Sequence, residues 1–280
     1  MHRRVAVVTD STACLPAQLT EKLGVTVAQI QVRIGDYVDD EARVPVPKLV
    51  DALRDDVEVV TVPPDPGAFF WAYQELATAG VEAVVSLHVS NELSRTVEAA
   101  SEAARQVRVP VHVVDTKTCG MSLGYAVVAA ATVAGAGGDA QRVLTAARHA
   151  YDRSTELIYV DTLEFLRRGG RISSAAALLG SALSMKPLLS MVDGRITAVE
   201  KVLGADRAMR KLVDLSVRRA GGGAVDLAVE HFDAPEKAAG VLEQLRRKVP
   251  SVRRFMITQV SSALGAHLGP GAVGVTVSPV

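Results

Sequence analysis

The first half of the chain alternates short runs of β-branched residues with segments whose apolar residues recur at helical spacing. The predicted strands are 5–8, 25–32, 81–88 and 111–115, and the predicted helices are 16–23, 47–55 and 93–106. This order is typical of βαβ units, in which neighbouring strands run parallel and helices cover the sheet. The pattern therefore predicts a parallel sheet between layers of helices.

Polar side chains lie at the carboxyl ends of the predicted strands, and also at the end of a further short β-branched run that stops at Thr61. They occur at Thr9-Asp10-Ser11, Val60-Thr61, Val89-Ser90 and Asp115-Thr116. The carboxyl ends of parallel strands meet at one edge of a sheet, where the ligand-binding loops of α/β proteins gather. We therefore expect these hydroxyl and carboxylate groups to form one rim.

A different pattern follows the helix predicted at 139–152. Residues 186–191 and 195–202 form the clearest hairpin, because Asp193-Gly194 between them suits a tight turn with positive φ. We expect antiparallel pairing to begin in this half and place a boundary near Ser154, which divides the chain into domains 1–154 and 155–280. The other predicted elements are strands 158–160, 225–230, 252–259 and 273–277 and helices 162–168, 205–219 and 235–248.

Composition narrows the classes of partner. Lys and Arg number 31, as do Asp and Glu, so no overall charge favours nucleic acid or an anionic membrane surface. Aromatic residues make up only 4% of the chain, which leaves few rings for stacking on bases. The apolar run 5–8 is too short for a signal peptide, and 125–138 is too short and too glycine-rich for an integral membrane helix. We expect a cytoplasmic protein that does not bind nucleic acid.

Metal chemistry is not expected from the sequence. The two cysteines, Cys14 and Cys119, lie far apart in the chain, and the six histidines show no ligand spacing. Two cysteines without a partner pattern also fit a reducing compartment. We therefore predict neither a metal nor another cofactor.

Two loops carry candidate hydroxyl donors. Residues 89–96 read Val-Ser-Asn-Glu-Leu-Ser-Arg-Thr, a turn between a strand and a helix that could direct Ser90, Ser94 and amide groups at an anion. An ordinary helix cap is the alternative. Thr61 begins a rigid Thr-Val-Pro-Pro-Asp-Pro loop, which either orients its hydroxyl or simply ends a strand.

Two further segments carry candidate cationic or donor groups. His267 stands in a predicted glycine-rich turn, 265–271, where it could face a carboxylate or serve only a structural role. Arg171 belongs to the basic turn 167–172, which suits capture of a phosphate or of an acidic partner surface. A solvated basic loop whose glycines end a helix is the alternative.

Taken in order, these motifs resemble those of the DegV family over nearly the whole chain. The matching segments are Thr9-Asp10-Ser11-Thr12, Thr61 with Pro63-Pro64, Ser90 with Leu93-Ser94 and Thr96, Asp115 with Lys117 and Gly120, Asp161 to Ile172, Lys186 to Leu189, Asp193-Gly194, Glu200 to Val202, and His267 to Gly271. Members of that family bind fatty acids, and in some bacteria they serve as the lipid-binding subunit of fatty-acid kinase.

The resemblance implies an α/β fold with an N-terminal three-layer parallel-sheet domain and a C-terminal α/β domain with a mixed sheet. It also implies a carrier, not an enzyme, which takes one long-chain fatty acid from the membrane by transient contact. The acyl chain would lie in an apolar tunnel, and its carboxylate would be presented to a fatty-acid kinase. By motif, Thr61 and Ser94 correspond to hydroxyl donors to the carboxylate, His267 to a donor from the opposite side, and Arg171 to an arginine nearby.

Three positions depart from the family pattern. Arg95 replaces a glycine beside Ser94, Val62 replaces a serine, and Leu203 replaces an arginine associated with the rim. Arg95 could either strengthen anion binding or block the usual approach to Ser94, and we include it with Ser90 among the predicted ligand-binding residues. The absence of this arginine at position 203 weakens the expectation of a kinase partner more than the expectation of fatty-acid binding.

Two other functions fit the same residues. Ser94, His267 and Asp10 could form the site of a small hydrolase or transferase, which would need a nucleophile within reach of an activating base. A regulatory protein that binds another amphiphile is the third hypothesis.

Overall fold

The computed structural model describes residues 4–172 and 185–280. In this part of the chain the strands are β1 Val5–Asp10, β2 Val25–Ala28, β3 Gln31–Ile34, β4 Tyr37–Asp40, β5 Val59–Val62, β6 Ala83–His88, β7 Val111–Asp115, β8 Thr155–Tyr159, β9 Met185–Val192, β10 Arg195–Leu203, β11 Val225–Phe232, β12 Val252–Gln259 and β13 Ala272–Pro279. The α-helices are α1 Ala17–Leu23, α2 Val46–Arg54, α3 Pro66–Thr78, α4 Thr96–Ala104, α5 Gly120–Gly135, α6 Ala140–Arg153, α7 Glu164–Arg168, α8 Ala205–Ala220, α9 Pro235–Lys248 and α10 Ser262–Leu268.

The N-terminal part contains the predicted parallel sheet, with strand order β2-β1-β6-β7. Successive side chains of a strand point to opposite faces, so each face of β1 packs on a different helix layer. Val5 and Val7 pack with α5 and α6, whereas Ala6 and Val8 pack with α3 and α4. The three-layer arrangement expected from the sequence is therefore confirmed.

A second, antiparallel sheet in the N-terminal part was not expected. Its strand order is β4-β3-β5. The predicted single strand 25–32 is wrong, because β2 ends at Ala28 and β3 pairs in this other sheet. Gly35, at φ +57°, makes the turn between β3 and β4, a conformation that glycine adopts without steric cost. Antiparallel pairing thus begins in the first half, and Thr61 belongs to this sheet instead of the parallel rim.

The C-terminal part contains the expected mixed sheet, with strand order β10-β9-β8-β13-β11-β12. The β9–β10 hairpin is confirmed, and both turn residues, Asp193 and Gly194, have positive φ. Leu157 and Tyr159 of β8 pack toward α8 and α9 on one face of the sheet. Ile158 faces the other way, into a core shared with α2, α7, α10 and β3.

Helix α5 joins the two large sheets. Its residues Leu123 and Val127 pack against the parallel sheet, while Met121 and Tyr125 pack against Ala228 of β11. Burial on several sides explains why its sequence is apolar all round. Among the helices of the described residues, none has the length and apolar character needed to cross a membrane.

Candidate functional site: an apolar cavity with polar ends

A cavity lies in the core between the mixed sheet, α10 and the loop that precedes α4. Its volume is about 40 Å³. Most of its lining is aliphatic and includes Val89, Leu93, Ile158, Ile196, Leu264 and Leu268. Thr61, Ser94, Arg171 and His267 also line it. The structure thus brings four of the six sequence-predicted residues to one cavity.

His267 is the centre of the polar group. The residue lies in the last turn of α10, so the predicted glycine-rich turn is wrong for residues 265–268. The helix is held at its start, where Ser261 caps it and the Glu41 carboxylate accepts a hydrogen bond from the Ala263 amide at 2.6 Å. At its other end, Nε2 of His267 lies 2.9 Å from Oγ1 of Thr61.

The charge state of His267 follows from its surroundings. Burial, together with the nearby positive charge of Arg171, lowers the pKa of the imidazole to about 4. The ring is therefore neutral near pH 7. In the tautomer with the proton on Nε2, His267 donates to Thr61, and the Thr61 hydroxyl is then free to donate to a ligand.

Arg171 supplies the positive charge at this end of the cavity. Its Nε donates to the carbonyl of Leu93 at 3.0 Å, and its Nη1 donates to the carbonyl of Gly169. The side chain is half-buried, and this burial lowers the pKa of the guanidinium, which stays a cation at neutral pH. Gly169 has to lack a side chain, since a Cβ there would collide with the His267 ring.

Ser94 also lines the cavity, next to Leu93, whose carbonyl accepts from Arg171. The turn that carries it is closed by hydrogen bonds from the amides of Leu93 and Ser94 to the carbonyl of Ser90, at 2.9 and 3.1 Å. Oγ of Ser94 is 2.8 Å from Oγ1 of Thr96, and either oxygen can be the donor. When Thr96 donates, the Ser94 hydroxyl is available to a ligand.

Ser90 and Arg95 do not line this cavity, and their part in ligand binding stays a prediction. Ser90 is buried, but its hydroxyl donates to the carbonyl of Gly194 at 2.7 Å and so fixes the β9–β10 turn against the loop. The Arg95 side chain is 80% exposed and pairs with Glu98 one helical turn later. Solvation and this ion pair hold the guanidinium at the surface.

The geometry does not assemble the hydrolase or transferase site. Asp10 is fully buried, where it accepts hydrogen bonds from Thr12, His88 and the amide of Val89. The ring nitrogen of His267 that has a partner faces Thr61, not Ser94. An activated serine needs a base within hydrogen-bond reach, and Ser94 is hydrogen-bonded to Thr96 instead of to His267.

The basic turn is more neutral than its sequence indicates. Arg167 and Arg168 both bind Glu164, and Arg168 also pairs with Asp56. These hydrogen bonds lower the pKa of the Glu164 carboxyl to about 2. Two of the three arginines in this turn therefore already have acidic partners.

Two lining residues were missed by the sequence reasoning. Glu156 of β8 and Cys119, which precedes α5, also face the cavity, and their side chains lie 3.7 Å apart at Sγ and Oε2. The available signal was an acidic residue inside an otherwise apolar strand, Thr155–Tyr159. No group of three or more His, Cys, Asp or Glu side chains in residues 4–172 and 185–280 is arranged to hold a metal ion.

The fold and the cavity define a class: α/β proteins with a parallel and a mixed sheet that enclose a mainly apolar cavity with polar groups at its ends. The chain belongs to the DegV family, since the family model described as "Uncharacterised protein, DegV family" matches residues 4–280. A DegV domain-containing protein of Streptomyces coelicolor is 44% identical over 279 residues, which cover 99% of each chain.

Solved structures agree with this assignment. The chain resembles a fatty-acid-binding DegV family protein of Thermus thermophilus with a TM-score of 0.93 and 28% identity, over 99% of this chain and 100% of that one. It also resembles DegV of Bacillus subtilis, described as a fatty acid binding protein, with a TM-score of 0.89 and 28% identity over 99% of this chain and 100% of that one.

Proposed function

We propose that this protein is a carrier that holds one long-chain fatty acid, with the acyl chain in the aliphatic part of the cavity. The carboxylate lies at Thr61, Ser94, His267 and Arg171. The observation that carries the proposal is the convergence of these four groups on the wall of an apolar cavity. The fatty-acid binding stated for the proteins of Thermus thermophilus and Bacillus subtilis supports it.

The two parts of such a ligand need different surroundings. Each buried methylene of the chain contributes about 0.8 kcal/mol, for which aliphatic walls suffice. A carboxylate loses its hydration in the same place and needs several donors in return. Arg171 supplies a positive charge, and the hydroxyls of Thr61 and Ser94 supply hydrogen bonds that neutral His267 can orient.

The aliphatic lining of the cavity is the surface that the acyl chain would contact. Because the fatty acid would bind the folded chain and not the unfolded one, binding should raise the temperature of unfolding.

The position of His267 favours presentation of the carboxylate to a partner. His267 and Gly169 also line a surface cleft of about 360 Å³ with Asp56, Phe165 and Arg168. A head group bound at His267 would thus lie close to solvent, where a fatty-acid kinase could reach it.

We place the protein in the cytoplasm, in transient contact with membranes, and assign it no catalysis or cofactor of its own. The boundary near Ser154 stays a prediction.

Denaturing mass spectrometry of protein purified from its expression host tests the proposal. We expect about one long-chain fatty acid per chain after organic extraction, with saturated or monounsaturated acids as the simplest ligands. Delipidated protein should take up stearate again and unfold at a higher temperature. Folded protein that neither carries nor takes up any fatty acid would overturn the proposal.

A further inference from the structure

Glu156 is an unusual wall residue for an apolar cavity. It lies on β8 two residues before Ile158 and on the same face, and both side chains line the cavity. Glu156 is only 6% exposed. Within residues 4–172 and 185–280, the hydrogen-bond partner of its carboxyl is the Cys119 thiol at 3.7 Å, a weak donor.

A second carboxyl, Glu230, lies beside it but is paired differently. A Cβ built on Gly120 would lie 2.6 Å from Oε1 of Glu156 and 2.8 Å from Oε1 of Glu230, so the two groups converge on this residue. Glu230 accepts hydrogen bonds from the Met121 amide at 2.8 Å and from Thr276 at 2.9 Å, and it does not line the cavity.

The pairing decides which carboxyl keeps a proton. Two buried carboxyls so close cannot both ionise. Burial raises the pKa of Glu230 to about 7 and that of Glu156 well above its usual range. Amide and hydroxyl donors favour the charge on Glu230, so Glu156 is the protonated member. The proton can lie toward Glu230, which leaves Oε2 of Glu156 as an acceptor beside the Cys119 thiol.

This pair lies away from the proposed carboxylate site. Two of the groups at that site, His267 and Arg171, adjoin Gly169, which follows α7, and α7 follows the carboxyl end of β8. Glu156 is instead near the amino end of β8. A polar atom that meets Glu156 would therefore belong to the acyl chain and not to the head group.

We propose that Glu156 and Cys119 form a subsite for a hydroxyl group on the acyl chain, so that the protein prefers a hydroxylated long-chain fatty acid to the unsubstituted acid. The inference rests on the proposed fatty-acid binding. A hydroxyl can donate to Oε2 of Glu156 and accept from the Cys119 thiol or from the carboxyl proton. A methylene there would leave the carboxyl buried without a full partner, which is unfavourable.

The test measures the affinity of delipidated protein for stearate and for a positional series of hydroxystearates by isothermal titration calorimetry. We expect at least one hydroxy acid to bind about tenfold more tightly than stearate, the value of one net hydrogen bond. Glu156→Leu should abolish that preference and bind stearate at least as tightly as the wild type. Glu156→Gln, which keeps a donor and an acceptor, should retain most of the preference.

Glu230→Gln is the matched control, because it changes the neighbouring carboxyl without altering the cavity wall, and it should keep the preference. Equal or weaker binding of every hydroxy acid than of stearate would overturn the inference while leaving fatty-acid binding intact. A preference that survives in Glu156→Leu would also overturn it. Absence of binding to any fatty acid would overturn the proposed function as well. The wild-type series decides the question even where Glu156→Leu does not fold.

Discussion

Two buried polar clusters in this chain differ in how completely their groups are paired. In the first, under the parallel sheet's carboxyl edge, Tyr73, Ser86, His88 and Asp10 form a continuous chain of hydrogen bonds of 2.7 to 3.0 Å. All four residues are fully buried. In the tautomer with the proton on Nδ1, the His88 ring donates to Asp10 and its Nε2 accepts from Ser86. The Ser86 hydroxyl in turn accepts from Tyr73.

The second cluster, Glu156, Glu230 and Cys119, is paired on one side only. Glu230 has two donors, whereas Glu156 has the weak thiol contact and a face toward the cavity. The first cluster contains a Ser, a His and an Asp in hydrogen-bonded order, yet no surface reaches it. A full set of partners and complete burial indicate a structural role, while an incomplete set beside a cavity leaves capacity for a ligand.

The largest effect should come from breaking the complete cluster. Asp10→Ala would leave His88, Thr12 and the Val89 amide without their acceptor. We therefore expect the free energy of unfolding to fall by about 3–5 kcal/mol. Urea denaturation measures this. Asp36→Ala, at an exposed position in the β3–β4 turn, should change stability by less than about 0.5 kcal/mol. A loss below about 1 kcal/mol for Asp10→Ala would mean that the cluster is not a structural unit.

The second cluster should make the stability of the folded protein depend on pH. The pKa of Glu230 is about 7 in the folded chain and about 4.3 when unfolded. A raised folded pKa gives stability that is present below the unfolded pKa and lost as pH rises through about 7. Wild-type protein should lose stability over this interval relative to Glu230→Gln, in which one of the two coupled carboxyls no longer ionises.

Urea denaturation at several pH values checks this difference. His267 acts in the opposite sense, because its pKa of about 4 makes stability fall as pH drops from about 6.5. That contribution is common to both proteins and cancels in the comparison. Parallel pH profiles for the wild type and Glu230→Gln would show that Glu230 titrates normally and that the two clusters do not differ in this way.

Substitutions at the proposed carboxylate site should change fatty-acid affinity more than they change the stability of the protein. Ser94→Ala removes a hydroxyl on the cavity wall, and we expect fatty-acid affinity to fall roughly tenfold to a hundredfold, since a hydrogen bond to a charged group contributes about 1.5–3 kcal/mol. Calorimetric titration with stearate measures it. Thr61→Val should act similarly, whereas the exposed Ser251→Ala should leave affinity unchanged.

His267→Ala distinguishes a ligand contact from a structural role. It should weaken binding if the ring orients Thr61 toward the carboxylate, and reduce stability alone if the ring only packs on Gly169. Unchanged affinity in Ser94→Ala, Thr61→Val and His267→Ala together would place the carboxylate elsewhere.

The smallest effect should come from an exposed ion pair. Arg168→Glu reverses a charge that binds Asp56 and Glu164 at the surface. Because exposed pairs contribute little, the unfolding midpoint should move by no more than about 2 °C, with fatty-acid affinity unchanged. Acyl phosphate production with a fatty-acid kinase should fall. Undiminished production would rule out this surface as the kinase contact.

Much of the fold could be read from local pattern. The βαβ alternation predicted the parallel sheet, and Asp193-Gly194 predicted the hairpin, because periodicity and turn residues act over a few positions. The same reasoning missed the β4-β3-β5 sheet, although Gly35-Asp36 between β3 and β4 was a local hairpin signal. It also placed His267 in a turn, because glycines at 265 and 269 obscured a helix that tertiary contacts stabilise.

The candidate site, like the fold, was predicted from the sequence in part. Family motifs identified Thr61, Ser94, Arg171 and His267 as a group, and the geometry brings all four to one cavity. Ser90 and Arg95 came from the same loop as Ser94, but a turn directs neighbouring side chains in different directions. Loop membership therefore predicted proximity to the cavity without predicting contact with it.

By itself, the sequence determined the parallel character of the first sheet, the mainly aliphatic core and the residue types available to bind an anion. Tertiary structure alone decided that Thr61 meets His267 across 206 residues of chain. It also decided that Glu156 faces the cavity while Glu230 accepts from the Met121 amide and the Thr276 hydroxyl, although both are acidic residues in buried strands. The physical reason is that a side chain's hydrogen-bond partners and solvation depend on elements distant in sequence, and local periodicity carries no information about them.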